Sequence, residues 1–163
     1  MHSFWKALTW SQFGAAIDTL KNAINTCPDE LWGDQTRFHQ FWYMAYHTLF
    51  YLDFYLSADV ENFNPKEPFT LSELDPSGVL PDRVYSKAEM LDYLAYGRKK
   101  CHETIMSMTE ERAQERFVFG SVDLNVAETL LYTMRHVQHH SAQLNMILRQ
   151  ETDSAPGWIF TAG

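Results

Sequence analysis

The stretch that decides the fold is residues 125–150, which read NVAETLLYTMRHVQHHSAQLNMILRQ. Its first residue, Asn125, can cap a helix by accepting a hydrogen bond from a free backbone N–H, and Glu128 can reach back to the cap. One helical face of the stretch carries Thr129, Tyr132, Thr133, His136, His140, Gln143, Leu144 and Ile147. The stretch therefore predicts a long helix with one inward face.

Three earlier segments show the same helical periodicity. We expect helices over about Trp10 to Asn25, over about Asp34 to Ser57, and from a capping box at Ser86 to about Met108. At ~1.5 Å per residue the second helix would be roughly 35 Å long. Its predicted apolar face consists of Phe38, Phe41, Trp42, Ala45, Leu49, Leu52 and Leu56. Four long amphipathic helices predict an all-α protein of the helix-bundle type.

Two segments between the helices are harder to interpret. Arg116 to Phe119 alternates weakly, so a short extended piece and a loop are equally compatible with it. The connection from Ala58 to Tyr85 is unusually long and has no clear period. It can run the length of the bundle, so that the helices it joins are parallel, or part of it can cover a site; we favour the first. No linker divides the chain, and residues 1–163 are predicted to form a single domain.

Composition excludes several functional classes. The net charge of −8, without a cluster of basic residues, argues against nucleic-acid binding. Cys27 and Cys101 form no Cys-x-x-Cys pair, as expected for a protein of the reducing cytosol. The most apolar run, Phe41 to Leu56, is interrupted by His47 and Asp53 and is shorter than the ~20 residues that cross a bilayer. Since the first residues do not resemble a signal peptide, we expect a cytoplasmic protein without membrane contact.

The histidines are the residues most able to carry chemistry, and they are His2, His39, His47, His102, His136, His139 and His140. His136 and His140 lie four apart, so they share one helix face with Cβ atoms ~6 Å apart. Two imidazoles at that spacing can bind one ion at ~2.0–2.1 Å. His47 lies among aromatic residues on the second helix and can supply a third imidazole. Three imidazoles around one divalent cation leave a coordination position open, as catalytic sites do.

Other interpretations of these histidines stay open at this point. Each can be a buried, hydrogen-bonded core residue without a metal. His139 can replace His140 as the partner of His136, three residues along the helix. A di-iron bundle is excluded because Glu does not stand three residues before any histidine of the candidate helices. The sequence after His102 reads ETIM and so lacks the second His of a His-Glu-x-x-His zinc motif.

These patterns resemble the DinB/YfiT-like superfamily of metalloenzymes, which includes bacterial thiol-dependent transferases. The hallmark of its last helix is His-x-x-His-His-x-Gly-Gln-Leu, and residues 136–144 read HVQHHSAQL. Residues 45–52, AYHTLFYL, are similar to the family's second helix, and PDELW at 28–32 and PGW at 156–158 also fit. The chain departs from the family at Ser141 and Ala142, where Arg-Gly is common, which removes a cationic side chain from that helix.

The resemblance implies a metal triad of His47, His136 and His140, with His139 at a position that is not usually a ligand. It also implies a four-helix bundle in up-down-down-up order, which would account for the long connection between the second and third helices. Zinc or nickel is the expected divalent ion, and a homodimer is the expected assembly.

The function these features imply is that of a metal-dependent enzyme. A divalent ion held by neutral imidazoles can lower the pKa of a bound thiol or water toward 7. The resemblance suggests a thiol S-transferase using a low-molecular-weight thiol and a small-molecule substrate, or a hydrolase. The alternative is a non-catalytic bundle that binds a metal or a small ligand. Candidates for the pocket lining, or else for the core, are Tyr43, Met44, Tyr51, Tyr132 and Gln143.

Overall fold

A computed structural model describes residues 3–163, so Met1 and His2 lie outside the described part of the chain. Its helices are α1 (Ser3–Thr26), α2 (Asp29–Trp32), α3 (Phe41–Tyr55), α4 (Lys87–Ser107), α5 (Glu110–Gln114) and α6 (Val126–Thr152). Its strands are β1 (Arg116–Phe119) and β2 (Val122–Asn125), and a 3₁₀ turn covers Ser72–Leu74. The predominantly helical class predicted from the sequence is confirmed, with one small hairpin added.

Capping explains where α4 and α6 begin. The Ser86 side chain accepts a hydrogen bond from the backbone N–H of Glu89, and the Glu89 carboxylate accepts one from the N–H of Ser86. Asn125 and Glu128 make the same reciprocal pair at the start of α6. Both predicted capping boxes are confirmed, and each satisfies backbone donors that the first helical turn leaves free.

The predicted second helix was too long. The helix α3 begins at Phe41, not near Asp34, and its 15 residues span about 22 Å. Asp34 instead accepts hydrogen bonds from the backbone N–H and the hydroxyl of Thr36, a local turn that competes with helix formation. Phe38, assigned to the apolar face, is 95% exposed. Within residues 3–163, neither α3 nor any other helix combines the length and apolarity that crossing a membrane requires.

The first helix also differs from its predicted bounds, because α1 starts at Ser3 rather than near Trp10. It packs against α4 and α6, and α3 packs against the same two helices. The largest fully buried side chains in the described chain are mostly aromatic and include Trp42, Tyr46, Tyr93, Phe13, Phe41, Phe50 and Phe54. Large rings therefore dominate the shared core between these helices.

The long connection between α3 and α4 is anchored in that core. The ring of Phe69 stacks on Tyr93 with centroids 4.2 Å apart and lies 4.7 Å from the ring of Tyr85. The hydroxyl of Tyr46 in α3 donates to the backbone carbonyl of Thr70 at 2.7 Å. Just before the 3₁₀ turn at Ser72–Leu74, the connection is therefore held against both α3 and α4.

The extended alternative for Arg116 to Phe119 is confirmed. These residues pair antiparallel with Val122–Asn125, in a register that sets Arg116 opposite Asn125. Gly120 turns the chain with a φ of 56°, in the left-handed region that glycine adopts readily. Phe117 is buried, and its ring lies 5.8 Å from that of Tyr55, so the hairpin covers the C-terminal end of α3.

A buried polar cluster joins α3 to α4. The Asp53 carboxylate is 1% exposed and accepts hydrogen bonds from Lys100 Nζ at 2.6 Å and from the Tyr93 hydroxyl at 3.0 Å. Lys100 also donates to the Ser57 hydroxyl at 2.8 Å. The charge of Asp53, which interrupts the apolar run of α3 in the sequence, is thus compensated by a lysine from the neighbouring helix.

Candidate metal centre

Three imidazoles meet between α3 and α6. His47 comes from α3, and His136 and His140 come from successive turns of α6, with one nitrogen of each ring within 4.8 Å of the others. The Nε2 atoms of His47 and His136 lie 3.3 Å apart. The ring centroid of His140 lies 4.8 Å from that of His47 and 4.5 Å from that of His136. The structure thus brings together the three residues singled out from the sequence.

The donor set and its spacing fit a divalent metal. Bonds of 2.0–2.1 Å in a tetrahedral site place two ligand nitrogens about 3.3 Å apart, which matches the separation of His47 and His136. The Nδ1 atom of His47 lies 2.6 Å from Glu73 Oε2, and Nδ1 of His140 lies 2.7 Å from Gln143 Oε1. Both rings therefore keep Nε2 as the nitrogen that can face a shared ion.

His136 is poorly satisfied by the protein itself. Its Nδ1 is buried and has no hydrogen-bond partner within residues 3–163, and its Nε2 faces another imidazole. A buried polar atom without a partner is destabilising by about 1–3 kcal/mol. A cation bound at Nε2 would give that nitrogen, which now faces another imidazole, a partner for its lone pair.

Burial keeps two of the rings neutral. It lowers the pKa of His136 from 6.5 to about 3, with further lowering by the neighbouring His140 and His47. It also lowers the pKa of His140 to about 4, again with a smaller contribution from His47. Neutral imidazoles at neutral pH have lone pairs free for a metal, so these rings need not lose a proton to bind one.

These shifts predict how acid affects the metal-free protein. The unfolded chain protonates His136 below pH 6.5 while the folded chain resists until about pH 3, so the free energy of unfolding falls as pH drops between these values. We expect wild type to lose up to about 1.4 kcal/mol more per pH unit than His136→Gln. Urea unfolding with chelator from pH 7 to 4 measures both slopes, and equal slopes would contradict the burial of a neutral ring.

Two clefts flank the histidines, and three of the five predicted lining residues line them. Tyr43 and Met44 line a cleft of about 350 Å³ together with His47 and His140. Tyr132 lines a second cleft of about 520 Å³ beside His136 and His139.

The other two predicted lining residues contact the imidazoles directly. The ring centroid of Tyr51 lies 4.9 Å from that of His47 and 5.7 Å from that of His136. The Oε1 atom of Gln143 lies within hydrogen-bond distance of His140 Nδ1, at 2.7 Å. His139 is exposed, and within the described chain its nitrogens do not join the convergent set.

Two residues beside the histidines were not predicted from the sequence. Glu73 comes from the 3₁₀ turn of the long connection, 26 residues from His47, and its side chain is 4% exposed. Tyr55 lies with its ring 5.2 Å from Tyr132 and 6.3 Å from His136, and burial raises its pKa far above the ordinary value. Because the connection has no hydrophobic period, the sequence does not indicate that the Glu73 side chain is buried. The interpretation that part of the connection covers a site is consistent with this position of Glu73.

Comparison with known proteins agrees with the histidine pattern. A search of curated proteins and a search of solved structures each gave no match. The sequence model of the DinB superfamily matches residues 12–144, a range that includes all three convergent histidines. Because that match spans most of the chain, this protein belongs to the DinB superfamily.

Proposed function

We propose that this protein is a metal-dependent enzyme that transfers a low-molecular-weight thiol to a small electrophilic substrate. The observation that carries the proposal is the convergence of three imidazole nitrogens within 4.8 Å in a chain of the DinB superfamily. A divalent ion, zinc or nickel, would supply the Lewis acidity that lowers the pKa of a bound thiol or water toward 7. Hydrolysis is the related reaction when water takes the place of the thiol.

The chain's own residues would hold and orient the reactants. His47, His136 and His140 would bind the ion, and three protein ligands leave a position for a reactant, as in catalytic zinc sites. The Nδ1 atom of His140 lies 2.7 Å from Gln143 Oε1, which leaves its Nε2 available to an ion. Tyr43 and other side chains of the 350 Å³ cleft would exclude water from a substrate beside His47 and His140.

The protein's own thiols are unsuited to act as the nucleophile. Cys27 and Cys101 are both free and buried. Burial raises the pKa of Cys27 to about 12 and that of Cys101 well above its ordinary value, so both stay protonated near neutral pH. Because the thiolate is the reactive form, this supports a thiol that arrives as a co-substrate. Free cysteines also support a reducing, cytoplasmic location.

The proposal includes a finer description of the fold. We infer the up-down-down-up order of a four-helix bundle for α1, α3, α4 and α6. The pairing of α1 and of α3 with both α4 and α6, and the long connection between α3 and α4, support this order.

Metal analysis and a thiol assay test the function together. We expect protein purified without an affinity tag to hold about one divalent ion per chain, by elemental analysis. We also expect it to accelerate the reaction of monobromobimane with cysteine, N-acetylcysteine or glutathione, and to lose this activity with chelator. Protein without metal contradicts the site. Metal-loaded protein that acts neither on these thiols nor on p-nitrophenyl acetate is instead a non-catalytic binder.

A further inference from the structure

Glu73 carries a buried carboxylate that contacts His47. Nothing in the sequence indicates this contact. Glu73 lies in the 3₁₀ turn Ser72–Leu74, and its Oε2 is 2.6 Å from Nδ1 of His47. Its side chain is 4% exposed. Its second oxygen, Oε1, is buried and makes no well-formed hydrogen bond within the described residues, although burial and the nearby carboxylate together raise the pKa of Tyr43. A carboxylate so enclosed is destabilising unless positive charge lies close by.

Two tyrosines of α3 hold the turn that carries Glu73. The hydroxyl of Tyr46 donates to the backbone carbonyl of Thr70 at 2.7 Å and lies 3.2 Å from the hydroxyl of Ser72. The hydroxyl of Tyr51 donates to the backbone carbonyl of Glu73 itself at 3.3 Å. The carboxylate is therefore presented to His47 from a fixed backbone rather than from a free loop.

The contact with Glu73 determines which nitrogen of His47 can bind a metal. When Nδ1 donates its proton to Oε2, the lone pair of the imidazole is on Nε2, the atom that faces His136 at 3.3 Å. The carboxylate also lies next to three imidazoles whose nitrogens converge within 4.8 Å. A cation between the rings would compensate the buried carboxylate, and the carboxylate would strengthen the binding of the cation.

We propose that Glu73 is a positioning residue of the metal site, which orients His47 through Nδ1 and raises the affinity for a divalent cation through its charge. The proposal rests on the proposed metal site but adds a residue from outside the histidine motif. It also assigns a role to the long connection between α3 and α4, because that segment brings the carboxylate to the site.

Metal affinity measured on three variants tests this role. Glu73→Ala removes the acceptor and the charge, whereas Glu73→Gln keeps an acceptor oxygen and removes only the charge. Glu61→Gln is the matched control, since it removes one negative charge from an exposed position of the same connection. Each protein is stripped with chelator and titrated with Zn²⁺ against a chromophoric competitor. It is also titrated with Co²⁺, whose visible absorption reports ligand geometry.

We expect the Kd for Zn²⁺ to rise 10–100-fold in Glu73→Ala, to rise less in Glu73→Gln, and to stay at the wild-type value in Glu61→Gln. The Co²⁺ spectrum should change in both Glu73 variants, which a merely structural role would not produce. If Glu73→Ala does not fold, a raised Kd in Glu73→Gln supports the role. Wild-type Kd and spectrum in every folded Glu73 variant overturn it. Wild type that binds neither metal refutes the proposed function instead, so the two failures are distinguishable.

Discussion

Replacing His136 with alanine should abolish metal retention while leaving the helices in place. His136 is the ring next to both other imidazoles, with its Nε2 3.3 Å from that of His47 and its centroid 4.5 Å from that of His140. Structural zinc sites with four ligands bind with about 10–16 kcal/mol, or roughly 3 kcal/mol per ligand. Losing one of three protein ligands should therefore weaken binding at least about a hundredfold.

Elemental analysis after gel filtration measures the retained metal, and circular dichroism measures the helical content. The matched control is His139→Ala, which removes an exposed imidazole from the same helix, outside the convergent set. It should retain the wild-type amount of metal. A His136→Ala protein with stoichiometric metal would remove the basis of the assignment.

Lys100→Met should produce a large loss of stability that does not depend on the metal. The substitution leaves the 1%-exposed Asp53 carboxylate without the ammonium group that lies 2.6 Å away. Breaking a buried pair in this way is destabilising by about 3–5 kcal/mol, and we expect the lower end because Lys100 is partly exposed. A domain of this size is stable by about 5–15 kcal/mol, so a substantial share of the total would be lost.

Urea unfolding with chelator present measures this change, and two further variants interpret it. Lys99→Met alters the adjacent lysine, whose pair with Glu103 is exposed and 3.7 Å long, so it should change stability by less than about 0.5 kcal/mol. Adding Asp53→Asn to Lys100→Met should restore part of the loss, because it removes the uncompensated charge. Equal stability of the Lys99 and Lys100 variants would show that the buried pair does not hold α3 to α4.

The histidines of α6 could be predicted from sequence because their proximity is local. His136 and His140 are four residues apart, and a helix of this period places them together whatever the rest of the fold does. The capping boxes at Ser86 and Asn125 are local for the same reason. The start of α3 was mispredicted because Phe38 fits the helical period of Phe41, Trp42 and Ala45, although it is exposed in the structure. At Asp34 a side-chain turn with Thr36 prevails over helix formation.

The role of the connection between α3 and α4 was not predictable in the same way. Its length was visible, and both the bundle-spanning and the site-covering interpretations followed from it. Only the structure shows Phe69 packed on Tyr93 and Glu73 beside His47. The partner of Asp53 is similarly hidden, since Lys100 is 47 residues away along the chain.

The predicted inward face of α6 was only partly right, because Gln143 is exposed while Leu130, Val137 and Leu148 are buried. By itself, the sequence determined the caps that start two helices and the spacing that brings His136 and His140 together. These features depend on hydrogen bonds and side-chain spacing within a few residues of chain. The tertiary structure alone decided which nitrogen of His47 is free, which carboxylate orients that ring, and which lysine compensates Asp53. Such contacts join segments distant in the chain, and they form only when packing of the aromatic core brings those segments together.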